Sequence, residues 1–278
     1  VRLRGTGTEK PTFVCDWQSQ IGIRSTASVS AAPGLVVDHA VADFDSAYRT
    51  LFMAVNAYEG EYPEGAVSPY LYVTNGSQMT ISGLEVGRMV SGSGIDLSPC
   101  IRIADGSKLT GTKALRLNRR AGCTVRMDVS GGSSFETGTE TVFCSGPTVA
   151  EFTDGSSFKG AVQFEGNMSG GSWAFRSDSV FKCSAFAQYG TPTDVSLVFD
   201  GGAWNPGSGD YEFMLKGGAY VDLVAGANGF VLDVPEDKTW KMFQKVTGEG
   251  AVVYAPHLTL FGTGVLRPLL RETARELG

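Results

Sequence analysis

A short motif returns along this chain with its neighbours held in one register, and that register limits the fold more than any other feature. Segments 71–79, 101–109, 127–135 and 150–158 each read as an alternating strand, a polar-Gly-Ser turn and an apolar residue. Looser copies follow at 174–181, 196–204 and 222–230. Taking Gly76, Gly106, Gly132, Gly155, Asp178, Gly201 and Ala227 as the turn positions, the separations are 30, 26, 23, 23, 23 and 26 residues. Two wholly apolar ladders follow: Val73, Ile103, Val129, Phe152, Phe175, Val198 and Val224 before the turn, and Met79, Leu109, Phe135, Phe158, Phe181, Trp204 and Phe230 after it.

Like residues recurring at one position imply a parallel β-solenoid, in which each coil climbs by one strand spacing of about 4.8 Å and equivalent side chains stack. Glycine at the turn allows a positive φ, and Asn75, Asp105, Asp154 and Asp200 before it can bond the turn's own N–H groups. Leucine-rich repeats would need a Leu/Asn consensus that is missing. A propeller would need four strands every 40 to 50 residues, and an antiparallel sandwich gives no reason for an aromatic rung every 23.

Composition agrees. With 37 glycines in 278 residues and only 19% charged residues, the surface is polar without being ionic, unlike that of a helix-rich protein. A net charge of −6 argues against a general nucleic-acid partner. No run of 18 apolar residues is present, so no membrane span is expected. The chain begins at Val1 without a charged-then-apolar leader, which fits a processed or trimmed product. Five cysteines, an odd number, read as buried thiols, and His39 with His257 offers no zinc spacing. No metal and no cofactor are expected.

Both ends of a solenoid expose strand edges that need cover. Ala47, Leu51, Ala54, Val55 and Tyr58 lie at helical spacing after Asp45, predicting an N-terminal capping helix over 45–58. Leu266, Leu269, Leu270, Ala274 and Leu277 share one helical face, predicting a short C-terminal helix that caps the rod or joins copies into a trimer or filament. The expected organisation is an N-terminal segment over 1–60, the β-helix over 61–250 and a terminal strand and helix over 251–278.

The helix starting at Asp45-Ser46-Ala47, the strand near Tyr70 and the Gly-Ser ladder together make the chain resemble the pectate-lyase-like right-handed parallel β-helix superfamily, which includes polysaccharide lyases, phage tailspikes and autotransporter-type adhesins. The resemblance implies an all-β right-handed β-helix and an extracellular place, on a bacterial cell surface or a virion. The paired aspartates with His-Gly and Arg-x-Lys of the superfamily's hydrolases do not occur. An adhesin-like or structural surface rod is therefore expected, with a polysaccharide lyase or glycoside hydrolase as the alternative.

Glycoside cleavage would need two carboxylates on one face. Asp154 and Asp200, read as sharing a register position two coils apart, with Asp178 between, are the candidates, although turn hydrogen bonding accounts for each. For glycan binding, Lys113, Arg116, Arg119, Arg120 and Arg126 form a basic run suited to uronate or sulfated sugars on a surface polysaccharide, unless alternation merely turns them to solvent. Tyr189, Trp240 and Tyr254 are candidate stacking aromatics.

Overall fold

The computed structural model describes residues 1–14, 21–23, 32–45, 50–53, 67–87, 97–113, 115–118, 123–165, 168–205, 211–213, 221–233, 240–242, 246–250, 252–254 and 258–260. Its corners explain the repeated motif. Asn75, Asp105 and Asp154 stand at φ of 57°, 59° and 57°, and the glycine after each at 67° to 71°. Two successive left-handed residues are costly for most L-amino acids, and Asn-Gly and Asp-Gly are the pairs that tolerate them. The corner N–H groups then reach the next coil, as in Gly106 N donating to Gly131 O at 2.8 Å and Gly155 N to Ser177 O at 2.9 Å.

Strands before the corner form a ten-stranded sheet, the first wall, and strands after it run through a second sheet of fourteen. Each strand pairs in parallel with its equivalent one coil away, as Cys100–Ile103 does with Tyr70–Thr74 and Val125–Val129. The chain is thus an all-β parallel β-solenoid. The seven copies read from the sequence supply seven strands of the first sheet, and Arg2–Arg4, Gly34–Asp38 and Val246–Gly248 are the other three. A third wall starts as the separate strands Ile21–Ile23, Thr50–Met53, Gly83–Val86 and Leu115–Leu117. It then merges into the far halves of the long strands Ser134–Cys144 and Ser157–Glu165, which shift register at the bend between walls.

Shortening of the period from 30 to 26 to 23 residues falls on the return from third wall to first. Val86 reaches Cys100 in 14 residues, Leu117 reaches Arg126 in 9 and Cys144 reaches Val149 in 5. Cys100 consequently pairs with Arg126, leaving Cys123 on the return.

Alternation sends one apolar residue inward on every rung. Phe135, Phe158, Phe181 and Trp204 are successive register partners, fully buried, with ring centroids 5.7, 5.7 and 5.4 Å apart. On the facing wall Phe152, Phe175 and Phe199 stack at 4.5 and 5.5 Å, and Phe230 closes on Phe199 at 4.1 Å. Here the ladders read from sequence need correcting. The rung after Phe175 is Phe199 and the next is Ala225, with Val198 and Val224 facing outward, and Trp204 pairs with Leu232 rather than Phe230. The corner between Phe199 and Trp204 is one residue shorter than the one before it, and the next, between Ala225 and Leu232, is one residue longer.

The turn serines form a second, polar ladder. Ser77, Ser107, Ser133 and Ser156 are buried, and each hydroxyl accepts from the backbone N–H one coil earlier: Ala40 N to Ser77 Oγ at 3.1 Å, Ser77 N to Ser107 Oγ at 3.0 Å, Ser107 N to Ser133 Oγ at 3.1 Å and Ser133 N to Ser156 Oγ at 3.2 Å. For the Ala40 and Ser133 N–H groups the serine hydroxyl is the only acceptor among the described residues, whereas the Ser77 and Ser107 N–H groups also reach Thr74 O and Ala104 O.

The N-terminal capping helix is not formed as expected. Thr50–Met53 is a strand between Ile21–Ile23 and Gly83–Val86, with Leu51 and Met53 buried. Leu51 and Met53 fit a period of two as well as their neighbours fit a helical one, and two waiting strand edges decide between them. The remaining positions expected in that helix, 46–49 and 54–58, and the C-terminal helix positions 266–277, lie outside the described residues.

Candidate functional site

Asp154, Asp178 and Asp200 do not share one register position. Asp200 pairs with Arg176, in the column of Thr153, whereas the coil-to-coil equivalent of Asp154 is Ser177. Asp154 and Asp178 are exposed residues in the left-handed corner, at φ of 57° and 61°. The sequence-based spacing between Asp154 and Asp200 therefore falls away.

Asp200 has a different task. It opens the shortened corner, where its carboxylate accepts from Asn228 N at 2.8 Å on the next coil and from Arg176 Nη1 at 2.9 Å on the previous one. Asp38 opens another shortened corner in the same way, accepting from Asn75 Nδ2 at 2.6 Å on one side and from Arg2 Nη2 at 2.8 Å on the other, with Arg4 Nε at 3.3 Å. Both carboxyls are held below the ordinary carboxylate range, Asp200 chiefly by the Asn228 N–H and Asp38 chiefly by the Asn75 amide, in each case against the cost of desolvation. An acid kept ionised in this way is a clasp between coils rather than a proton donor.

Of the five basic candidates, the three described stand at different places around the coil. Lys113 is exposed at the bend after Lys108–Gly111. Arg116 stands on the outer face of the third wall, its guanidinium carbon 5.1 Å from the centre of the Phe143 ring. Arg126 lies on the first wall. Arg119 and Arg120, and the side chains of Tyr189, Trp240 and Tyr254, lie outside the described residues.

Arg126 keeps other company. Pairing sets Gly34, Tyr70, Cys100, Arg126 and Val149 in one outward column of the first sheet, and Val36, Tyr72, Arg102, Asp128 and Glu151 in the next. Tyr70 and Tyr72 lie with ring centroids 4.6 Å apart, tilted by 35°. Arg102, Arg126 and Asp128 are exposed, and among the described residues none makes an ion pair, whereas Arg2, Arg4 and Arg176 on the same sheet all do. Cys100 forms part of the floor; burial first and the Asp128 charge second push its thiol up. Burial, then Cys100, pushes the Tyr72 phenol up as well.

Another residue escaped the sequence reading. Asn118, fully buried at φ 55°, donates from Nδ2 to Cys123 O at 2.5 Å and to Pro147 O at 2.7 Å, tying two coils at the return to the first wall. No repeated motif surrounds it, so only the fold shows its role. The described residues contain no cluster of three or more His, Cys, Asp or Glu placed to hold a metal ion. No described helix is long and apolar enough to cross a membrane.

No family model, curated protein or solved structure matches the chain.

Proposed function

We propose that this chain is a β-solenoid rod that holds surface polysaccharide without cleaving it, outside the cell, on a bacterial surface or a virion. The observation that carries the reading is the use made of the aspartates. Asp154 occupies a left-handed corner slot that Asn75 fills in an earlier coil, and Asp200 is an ionised clasp out of register with it. Retaining or inverting hydrolysis needs a carboxyl of raised pKa opposite a second carboxylate, and the clasp at Asp200 works in the other direction. Regular stacking, the resemblance to tailspike and adhesin β-helices and the low share of charged residues support the same reading.

Incubation with a panel of polysaccharides separates this role from that of a lyase or hydrolase. Retention of polymer with no release of reducing ends or unsaturated products is the expected result. Turnover that disappears in Asp154→Asn or Asp200→Asn would instead establish the enzyme.

A further inference from the structure

We propose that Tyr70, Tyr72, Arg102 and Arg126 form a binding site for an acidic saccharide, one bearing carboxylate or sulfate groups, on the outer face of the first sheet. The proposal rests on the polysaccharide-holding reading above and goes beyond it in naming the site and the ligand chemistry. It departs from the basic run in the sequence, of which only Arg126 is kept.

Register gives the patch its size. Tyr70 and Arg126 lie two rungs apart in one column, with Cys100 between them; Tyr72 and Arg102 are direct neighbours in the adjacent column. At about 4.8 Å per rung and about 6.8 Å between outward positions on a strand, the four side chains cover an area suited to one or two sugar rings. The aromatic half is already seated. A Cβ added at Gly34 would lie 2.2 Å from Tyr70 ring atoms, so the ring rests in the space that the missing side chain leaves. Such a surface loses little freedom when the apolar face of a sugar settles on it. The Tyr72 hydroxyl keeps its proton at neutral pH and remains a donor.

The charged half is uncommitted. Arg102 and Arg126 are exposed and make no ion pair among the described residues, although Asp128 is the register partner of Arg102 and shares a strand with Arg126. Two guanidinium groups left open beside seated rings match a ligand that carries both anionic groups and a sugar face. Asp128 offers an acceptor for sugar hydroxyls, and its single charge leaves the group of three net positive.

Binding is measured by affinity electrophoresis and calorimetry with hyaluronate (carboxylate only), dextran sulfate (sulfate only) and dextran (neither). The full chain is expected to hold at least one charged polymer, with dextran held at least tenfold more weakly, and added salt weakening the charged complex. Arg102→Ser, Arg126→Ser and Tyr72→Leu are each expected to weaken it about tenfold. Gly34→Ala, which displaces the Tyr70 ring without touching ligand, should weaken it several-fold, while Lys159→Ser and Lys182→Ser on the second sheet leave it within twofold. Urea midpoints confirm that each variant is folded. Charged polymer held equally by the wild type and all four site variants would overturn this site and leave the rod reading standing. Dextran held as tightly as the charged polymers, or held alone, would overturn the site but not the rod reading, and failure to hold any of the three would overturn both.

Discussion

An aspartate in this chain is defined by the backbone beneath it. Asp154 holds φ 57° in an exposed corner, a conformation that Asn adopts as readily, so Asp154→Asn should change stability by less than about 0.5 kcal/mol. Asp154→Val, β-branched in the same left-handed slot, should cost about 1–2 kcal/mol, and urea unfolding of the two variants checks the contrast. Asp200 and Asp38 obey another rule. Their folded pKa values lie below those of the unfolded chain, so the stability they contribute is complete above the unfolded value of about 4 and is lost as pH falls through the lowered folded value. Replacing Asp200 by Asn should therefore lower the urea midpoint at neutral pH and flatten the acid limb of the stability curve below about pH 4. A limb as steep as that of the wild type would show that the clasp contributes nothing.

Within one corner element, the serine ladder distributes hydrogen bonds unevenly. The Ser77 N–H has two acceptors, Ser107 Oγ at 3.0 Å and Thr74 O at 3.3 Å, whereas the Ser133 N–H has Ser156 Oγ alone at 3.2 Å among the described residues. Ser156→Ala should accordingly cost about 1–3 kcal/mol, the range for a buried donor left without a partner, and Ser107→Ala should cost less. Equal losses in urea unfolding would contradict that accounting. Strands show the limit of local pattern more sharply. Residues 45–58 carry apolar positions at helical spacing, yet Thr50–Met53 pairs on both sides with strands distant in sequence. Propensity and periodicity give way where two parallel edges require a partner.

As a whole, the molecule is a stack in which each coil pairs only with its neighbours. Ten strands at about 4.8 Å make a first sheet roughly 43 Å tall. Removing a central ring tests how far a defect spreads. Phe158 is fully buried between Phe135 and Phe181, 5.7 Å from each, and also meets Phe152 and Trp173. Phe158→Ala should cost about 3–5 kcal/mol through lost burial and an unfilled cavity. Because a solenoid is held by nearest-neighbour interfaces, protection from hydrogen exchange should fall in the strands Ser134–Cys144 and Val180–Tyr189 before it falls in Gly34–Asp38. A uniform loss along the chain would mean that the stack unfolds as one unit.

The repeat by itself determined the parallel solenoid, the inward aromatic rungs from Phe135 to Trp204 and the Asn/Asp-Gly corners, because stacking equivalent residues makes the fold nearly one-dimensional. Register where the corner shortens is set by the pairing between coils. Val198 and Phe199 are both apolar and either could fill the rung, so the pattern cannot choose between them. Pairing with Phe175 selects Phe199 and sets Asp200 against Arg176 instead of in line with Asp154. The same holds for the binding face. Arg116 and Arg126 are ten residues apart in sequence but stand on different walls, while Tyr70 and Arg126 lie far apart in sequence and two rungs apart in space. Linear spacing measures position along a coil, whereas contact on a solenoid surface is set by the pairing between coils.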